Sequence, residues 1–398
     1  MDTHAGIDAD AALACLTNLL DGAHHATSDQ LPEVVSRAGR LLGWDLTVYL
    51  VTFDQRVLVP LGPATAEPLP VEGPEAAAFR TVQPVHDGGT TWVPLLDGVE
   101  RLGTLRVVAL PGGPDPRGTA LVLRWVSMLV GHLVAVVTPY GDAVSRARGA
   151  SDRTVAAELL WNLLPPLTFA ADDVVVAGLL EPSDRVAGDA FDYAVEGTTA
   201  DVAIFDGTGH DLSSGLLTSV ALATYRNHRR RGEDLVACAN AVDRALSEHT
   251  DGAGYATGVL LRLDTATGEL QYLNAGHPQP LLLRGERVLD LMAHSGRPLF
   301  GLGGREATVG EVRLRPGDQV ILYTDGVTEA RDTRGEFFGV DRLVALVQKH
   351  AADRLPAPET LRLVMRDVVD HQGNALQDDA TIVLLRWTPR ESTALLPA

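Results

Sequence analysis

An α+β chain of two domains is what this sequence predicts, on three observations. The N-terminal part runs helix, several strands and helix, an order that suggests a sheet with helices packed on one face. In the C-terminal part, four acidic motifs stand where apolar strands meet turns, as the edges of antiparallel sheets would place them. At 398 residues with 45% hydrophobic content, the chain is long enough to bury two cores.

Taken in order, helical patterning covers Ala11 to Leu20 and Leu31 to Leu42. Strands follow at Leu46 to Phe53, Arg56 to Pro60, Thr91 to Leu95 and Gly103 to Leu110, and a helix spans Ala120 to Val137. The apolar run Leu121 to Val137 is short for a membrane span and contains Arg124 and His132, so a buried or dimer-forming helix is expected and no membrane partner. Thr91-Trp92-Val93-Pro94-Leu95-Leu96 followed by Arg101-Leu102-Gly103-Thr104-Leu105-Arg106-Val107 resembles adjacent core strands of GAF domains. That resemblance implies a sensor over residues 1–145, and leaves open whether it takes a small-molecule ligand.

Residues 146–168 are expected to form a linker or switch helix. Ser151-Asp152 supplies an N-cap region and Pro165-Pro166 a stop, while Val155, Ala156, Leu159, Leu160, Leu163 and Leu164 make an apolar face. Such a helix serves either as a strut on the C-terminal domain or as a transmission element paired with its twin in a homodimer.

The C-terminal strands carry the chemistry. Asp201 to Phe205 runs into Asp206-Gly207, and Gln319 to Thr324 runs into Asp325-Gly326. Asp378-Asp379 precedes the strand Ala380 to Arg386, and Gly188-Asp189 precedes Phe191 to Val195. Any single Asp-Gly here would be an ordinary β-turn. Four such motifs on antiparallel strands can converge on one edge, where like charges repel unless cations lie between them. Hard oxygen donors suit magnesium or manganese, and no Cys/His cluster with zinc spacing is present.

Around these acids lie Leu163-Leu164-Pro165, Ala187-Gly188-Asp189-Ala190-Phe191-Asp192-Tyr193, Phe205-Asp206-Gly207-Thr208-Gly209-His210, Asn274-Ala275-Gly276-His277-Pro278, Leu299-Phe300-Gly301-Leu302-Gly303, Leu314-Arg315-Pro316-Gly317-Asp318, Tyr323-Thr324-Asp325-Gly326-Val327-Thr328-Glu329-Ala330 and Asp378-Asp379-Ala380-Thr381. In this order, the set resembles the metal-dependent protein phosphatases (the PPM, or protein phosphatase 2C-like, family) in their bacterial SpoIIE/RsbU branch. The resemblance spans residues 169–388. It implies an αββα sandwich of two antiparallel sheets flanked by helices; the terminal stretch from Pro389 reads by its residues as a disordered tail over 389–398.

It further implies that Asp206 bridges two metal ions, Mn2+ or Mg2+, with the Gly207 carbonyl as a second ligand. Asp325 and Asp378 complete the site around one metal, with Asp379 as the close alternative to Asp378, and Asp189 serves the other; Asp206 and Asp189 are the catalytic pair. The implied activity is phosphoserine/phosphothreonine protein phosphatase, with two cations activating a water for in-line attack on phosphorus. The implied substrate is a phosphorylated STAS-domain antagonist of an anti-sigma factor, in partner-switching regulation. The sequence departs from the branch at Ala187, where Gly is common, and at Asp211; neither change removes a ligand.

Other classes fit less well. A cysteine phosphatase is disfavoured because neither Cys15 nor Cys238 lies in a Gly-rich turn followed by Arg. Cys238, within the helical stretch Asp234 to Leu246, is expected to be a buried thiol. His210 and His277 are expected to shape loops rather than act as general acids. The net charge of −19, from 33 basic and 52 acidic residues, argues against nonspecific nucleic-acid binding. The basic run His228-Arg229-Arg230-Arg231 is expected to be a solvated helix end. Two distant cysteines and an N-terminus without a signal-peptide pattern predict a cytoplasmic location. The rival functions are a non-catalytic ligand-sensing module with a vestigial metal site, and an enzyme that turns the same acids on a nucleotide.

Overall fold

The computed structural model describes residues 7–62, 66–149, 154–182, 188–209, 212–249, 254–285, 287–290, 296–304, 306–353, 355–373 and 376–389. Internal contacts divide the chain into two units, the first within Met1–Asp152 and the second within Arg153–Thr393.

The first unit opens with α1 (Ala9–His24) and α2 (Leu31–Leu41), followed by β1 (Trp44–Val51), β2 (Val57–Pro60) and β3 (Leu69–Pro70). Next come α3 (Ala77–Thr81), β4 (Val85–Asp87), β5 (Thr90–Asp97), β6 (Glu100–Ala109), α4 (Ala120–Val137) and α5 (Ala143–Ala147). The strands form one antiparallel sheet in the order β3-β2-β1-β6-β5-β4. Alternation sorts its side chains. Leu46, Val48, Leu50, Val93, Leu95, Leu105 and Val107 share a core with α1, α2 and α4, while Tyr49, Val51 and Trp92 pack with Phe79 of α3 on the other face. Helix α4 turns Val126, Val130 and Val134 inward and leaves Trp125 55% exposed. Together with the turn that follows it, α4 is long and apolar enough to cross a membrane by length and composition; about half of it is buried against its own unit.

The second unit starts with α6 (Val155–Leu163), capped by Thr154, whose hydroxyl accepts the Ala157 N–H. The anticipated cap at Ser151-Asp152 lies outside the described residues. The packed face of α6 is Ala156, Ala157 and Leu160 with Leu163 and Leu164 at its edge, as expected from the sequence except that Ala157 joins it and Val155, 74% exposed, does not. A helix of two and a half turns can aim only one such stripe at its support. Then follow β7 (Thr168–Ala171), β8 (Val174–Glu181), β9 (Asp189–Glu196), β10 (Thr199–Gly207), α7 (Leu212–Arg230), α8 (Leu235–His249), β11 (Ala256–Asp264) and β12 (Glu269–Ala275). The unit closes with β13 (Leu281–Arg284), β14 (Arg287–Asp290), β15 (Gly310–Arg313), β16 (Gln319–Tyr323), α9 (Asp325–Thr328), α10 (Val340–Ala352), α11 (Ala357–His371) and β17 (Ala380–Trp387).

Two antiparallel sheets result, β15-β12-β11-β10-β9 and β14-β13-β16-β17-β8-β7. Val202, Ile204, Phe191 and Val259 from the first meet Val176, Leu322 and Val383 from the second in one core. The next residues along β10, Ala203 and Phe205, face the other way into a core with α6, α7 and α8. Helix α11 lies against β8 and β17 of the second sheet. The order helix, sheet, sheet, helix is the αββα sandwich that the sequence resemblance implied.

Candidate metal centre

Period-two alternation also aims the acids. On β10, Val202 and Ile204 point between the sheets, so Asp206 does too, at the strand's last turn before Gly207. Antiparallel pairing sets Asp189, at the start of β9, directly opposite Asp206. On the second sheet, β16 ends one residue before Thr324-Asp325 and its antiparallel neighbour β17 begins just after Asp378-Asp379. One edge of the sandwich therefore receives the acids of all four motifs.

Asp189 is buried, and the two threonines beside the other acids hold it. The Thr324 and Thr381 hydroxyls donate to its Oδ2 at 2.7 and 2.8 Å. These residues tie β9 of one sheet to β16 and β17 of the other. Both stand in the motifs around the acids, where a hydroxyl next to an acid at a strand end is the signal the sequence carries. Asp379 is buried as well, and its Oδ2 accepts the Gly188 N–H at 2.7 Å. Asp378 is exposed at the rim, and its Oδ1 accepts the Asp379 N–H at 2.9 Å.

Glycines allow the close approach. A Cβ on Gly326 would lie 1.8 Å from the Asp379 carbonyl oxygen, and one on Gly188 would lie 2.7 Å from the Gly207 carbonyl oxygen. That Gly207 carbonyl accepts the Ser214 hydroxyl at 2.7 Å, which leaves one of its lone pairs.

The charges do not balance. Burial raises the Asp206 pKa to about 7, and the neighbouring charges of Asp325, Asp378 and Asp379 add to the rise. Burial also lifts Asp189 well above the usual carboxylate range, with Asp206 and Asp379 contributing in the same direction. Asp378 is raised by desolvation, aided by Asp325 and Glu329. Among the described residues no three acidic, histidine or cysteine side chains close into a chelating group. The carboxylates stand within each other's field and short of contact, as mutual repulsion in a partly dry site requires. A concentration of carboxylates and carbonyl oxygens whose acting charges are themselves carboxylates fits a hard divalent cation.

The remaining sequence candidates fall elsewhere. His210, Ala187 and Asp211 lie outside the described residues. His277 is buried, its backbone N–H donating to Asn274 Oδ1 at 2.8 Å. Cys15 and Cys238 are buried free thiols, and desolvation pushes each up to about 11, far from a nucleophile's range. The basic run is a solvated helix end at Arg230 and Arg231, which are exposed, but not at Arg229. Arg229 donates to Asp192 Oδ2 at 2.6 Å and Arg226, one turn earlier, to Asp192 Oδ1 at 2.7 Å; both arginines are largely buried. Asp192 lies 37 residues away along the chain, so no local pattern could announce the pairing.

Residues 196–388 match the family model of stage II sporulation protein E (SpoIIE). The chain is 30% identical over 142 residues to Protein IcfG of Synechocystis sp., a stretch covering 35% of this chain and 22% of IcfG. With Phosphoserine phosphatase RsbU of Bacillus subtilis it shares 22% identity over 264 residues, 64% of this chain and 78% of RsbU. The solved RsbU and RsbW domains of Rv1364c from Mycobacterium tuberculosis superpose with a TM-score of 0.50 at 24% identity, covering 56% of this chain and 63% of that one. That last likeness is one of fold.

Proposed function

We propose, for a chain whose residues 196–388 form a SpoIIE-family domain homologous to the serine/threonine phosphatases of the protein phosphatase 2C type, the activity of a metal-dependent phosphoserine/phosphothreonine protein phosphatase. The observation that carries it is the convergence of Asp189, Asp206, Asp325, Asp378 and Asp379 on one edge of the sandwich, with the Asp206 pKa raised to about 7 by burial and by carboxylate neighbours.

Asp206 and the Gly207 carbonyl, with Asp325 and Asp378 on one side and Asp189 on the other, would hold two Mn2+ or Mg2+ ions. Cations there would neutralise charge on phosphoryl oxygens and bring the pKa of a water into the range where it serves as nucleophile. The chain's own residues supply the aim. Both threonine hydroxyls that grip Asp189 reach Oδ2, which leaves Oδ1 to the site. Asp378 and Asp379 each give one carboxylate oxygen to a backbone N–H, and the preference for Asp378 as the ligand rests on the family resemblance.

The substrate we propose, from the family resemblance, is a phosphorylated STAS-domain antagonist of an anti-sigma factor; the name of the phosphoserine phosphatase RsbU, to which the chain is similar, supports the phosphoserine. The first unit, with its six-stranded antiparallel sheet, is assigned as a GAF-like sensor in a homodimer. The test is hydrolysis of p-nitrophenyl phosphate by the full chain, titrated with Mn2+ and Mg2+, beside Asp206→Ala. Metal-dependent turnover that falls at least about a hundredfold in the variant is expected. Equal turnover in the two proteins would refute the site assignment, and an inert wild-type chain would favour a non-catalytic signalling module.

A further inference from the structure

Between Asp325 and Asp378 the chain forms a short hairpin. Arg331 and Phe337 pair antiparallel, and Asp332 closes the turn, its Oδ1 accepting the Arg334 and Glu336 N–H groups at 2.8 and 2.9 Å. Gly335 takes φ +84°, a left-handed conformation open to glycine. The base of the hairpin is bonded toward both segments that carry the second sheet's acids. Phe338 N–H donates to the Ala330 carbonyl and Gly339 N–H to the Thr328 carbonyl, at the end of the helix α9 that Asp325 begins. From the other side Gln377, the residue before Asp378, donates its side-chain amide to the Arg331 carbonyl at 3.3 Å.

A histidine fastens this hairpin to the helices. His371, the last residue of α11, places Nε2 3.0 Å from the Glu336 carbonyl and Nδ1 3.0 Å from Arg342 Nη1 of α10, with its ring edge-on to Phe338. The partners fix the role of each nitrogen. A guanidinium only donates, so Nδ1 accepts; a carbonyl only accepts, so Nε2 carries the proton. The ring in this geometry is therefore neutral. A second proton would set an N–H and a positive charge against Arg342, and that contact would open. The charged groups that face the ring pull in opposite directions. Arg342 of α10 holds the proton off, whereas Asp332 of the hairpin, which feels the ring's charge, and the carbonyl end of α11 favour it. Histidine is the side chain that takes up a proton on mild acidification.

We propose that His371 is a positioning residue of the acid site: its neutral ring clamps the Arg331–Phe337 hairpin to α10 and α11 and so holds Asp325 and Asp378 at the spacing a metal ion requires, while its protonation releases Arg342 and loosens that hold. The inference rests on the metal-site reading proposed above. The ring acts through the hairpin, from the Glu336 carbonyl, which also accepts the Asp332 N–H at 3.0 Å, to the bonds at Ala330 and Arg331.

Its test is Mn2+ binding by calorimetry to the full chain at about pH 8 and about pH 6, for the wild type, His371→Gln and His371→Ala. Glutamine offers an N–H donor and an acceptor oxygen and takes no proton in this range. His371→Gln is expected to match the wild type at about pH 8 and to bind about three- to tenfold more tightly than it at about pH 6, the span that the net worth of one hydrogen bond allows. His371→Ala is expected to bind more weakly than the wild type by a similar factor at about pH 8. Protonation of the carboxylates lowers affinity in all three chains alike, so the ratio between chains isolates the ring. The 15N spectrum of labelled histidine at about pH 8 is expected to show His371 as the Nε2–H tautomer. A ratio of wild type to His371→Gln that is the same at both pH values, His371→Gln binding no better than His371→Ala, or an Nδ1–H tautomer would each overturn the proposal. A wild-type chain that takes up no Mn2+ at about pH 8 would overturn the metal-site reading and this inference with it, an outcome distinct from the other three. Should His371→Ala fail to fold, the ratio of the other two chains and the wild-type tautomer still decide.

Discussion

Asp189 and Asp192 stand three residues apart on β9, and both are buried, yet the fold completes only one of them. Asp192 receives two arginines from α7, with Nη–Oδ distances of 2.6 and 2.7 Å, and Arg226 also donates to the Leu163 carbonyl at the end of α6 at 2.6 Å. Its charge is spent within the protein, fastening β9, α7 and α6 to one another. Asp189 meets two hydroxyls and the charges of Asp206 and Asp379, and its pKa rises. A buried carboxylate surrounded by cations belongs to the scaffold, whereas one surrounded by carboxylates marks where something from outside must bind.

The largest expected effect that separates the two is on stability. Asp192→Ala leaves Arg226 and Arg229 with no acid between them and should cost about 3–5 kcal/mol, read by urea denaturation. A loss below about 1 kcal/mol would break the contrast, since that is the range of an exposed pair. Next comes Gly326→Ala, whose methyl group would be driven into the Asp379 carbonyl and should cost about 1–3 kcal/mol, with metal-dependent activity lost because Asp325 and Asp379 are displaced together. An active variant of wild-type stability would show that the second sheet's acids tolerate movement.

The smallest effect is the most diagnostic. In metal-free protein, folding raises the Asp206 pKa from 3.8 to about 7, so the folded chain holds that proton more tightly than the unfolded one. The stability this confers is complete below about pH 4 and disappears as the pH climbs through about 7. Thermal melts in a chelator should therefore fall across that window. Asp206→Asn should flatten the fall and gain on the order of 1 kcal/mol above it, where Asp192→Ala loses several. A metal-free wild type whose melting point does not change over the window would contradict the electrostatic account of the edge.

Much of the candidate site was legible in the sequence. Asp206, Asp325, Asp189 and Asp378 each adjoin an apolar run, and the end of a strand is a local property that alternation and turn residues reveal. What was not legible depends on pairing. Arg229 looked like a solvated helix end because its partner Asp192 belongs to a different element. Val155 looked like part of a packed face because helical periodicity gives the stripe's spacing and not which side the neighbours cover. His371 carried no signal of its own, since only the packing of α11 against α10 and the hairpin sets it between Arg342 and Glu336.

The sequence alone determined which residues could be acids at strand ends, where helices and strands run, and that no thiol is placed for nucleophilic work, because propensity, alternation and turn chemistry act over a few residues. Only the tertiary structure decided that the acids of two sheets share one edge, that Thr324 and Thr381 grip Asp189, and that Asp192 is neutralised while Asp206 is not. Those outcomes follow from strand register and sheet packing, which join residues up to 192 positions apart and which no local pattern encodes.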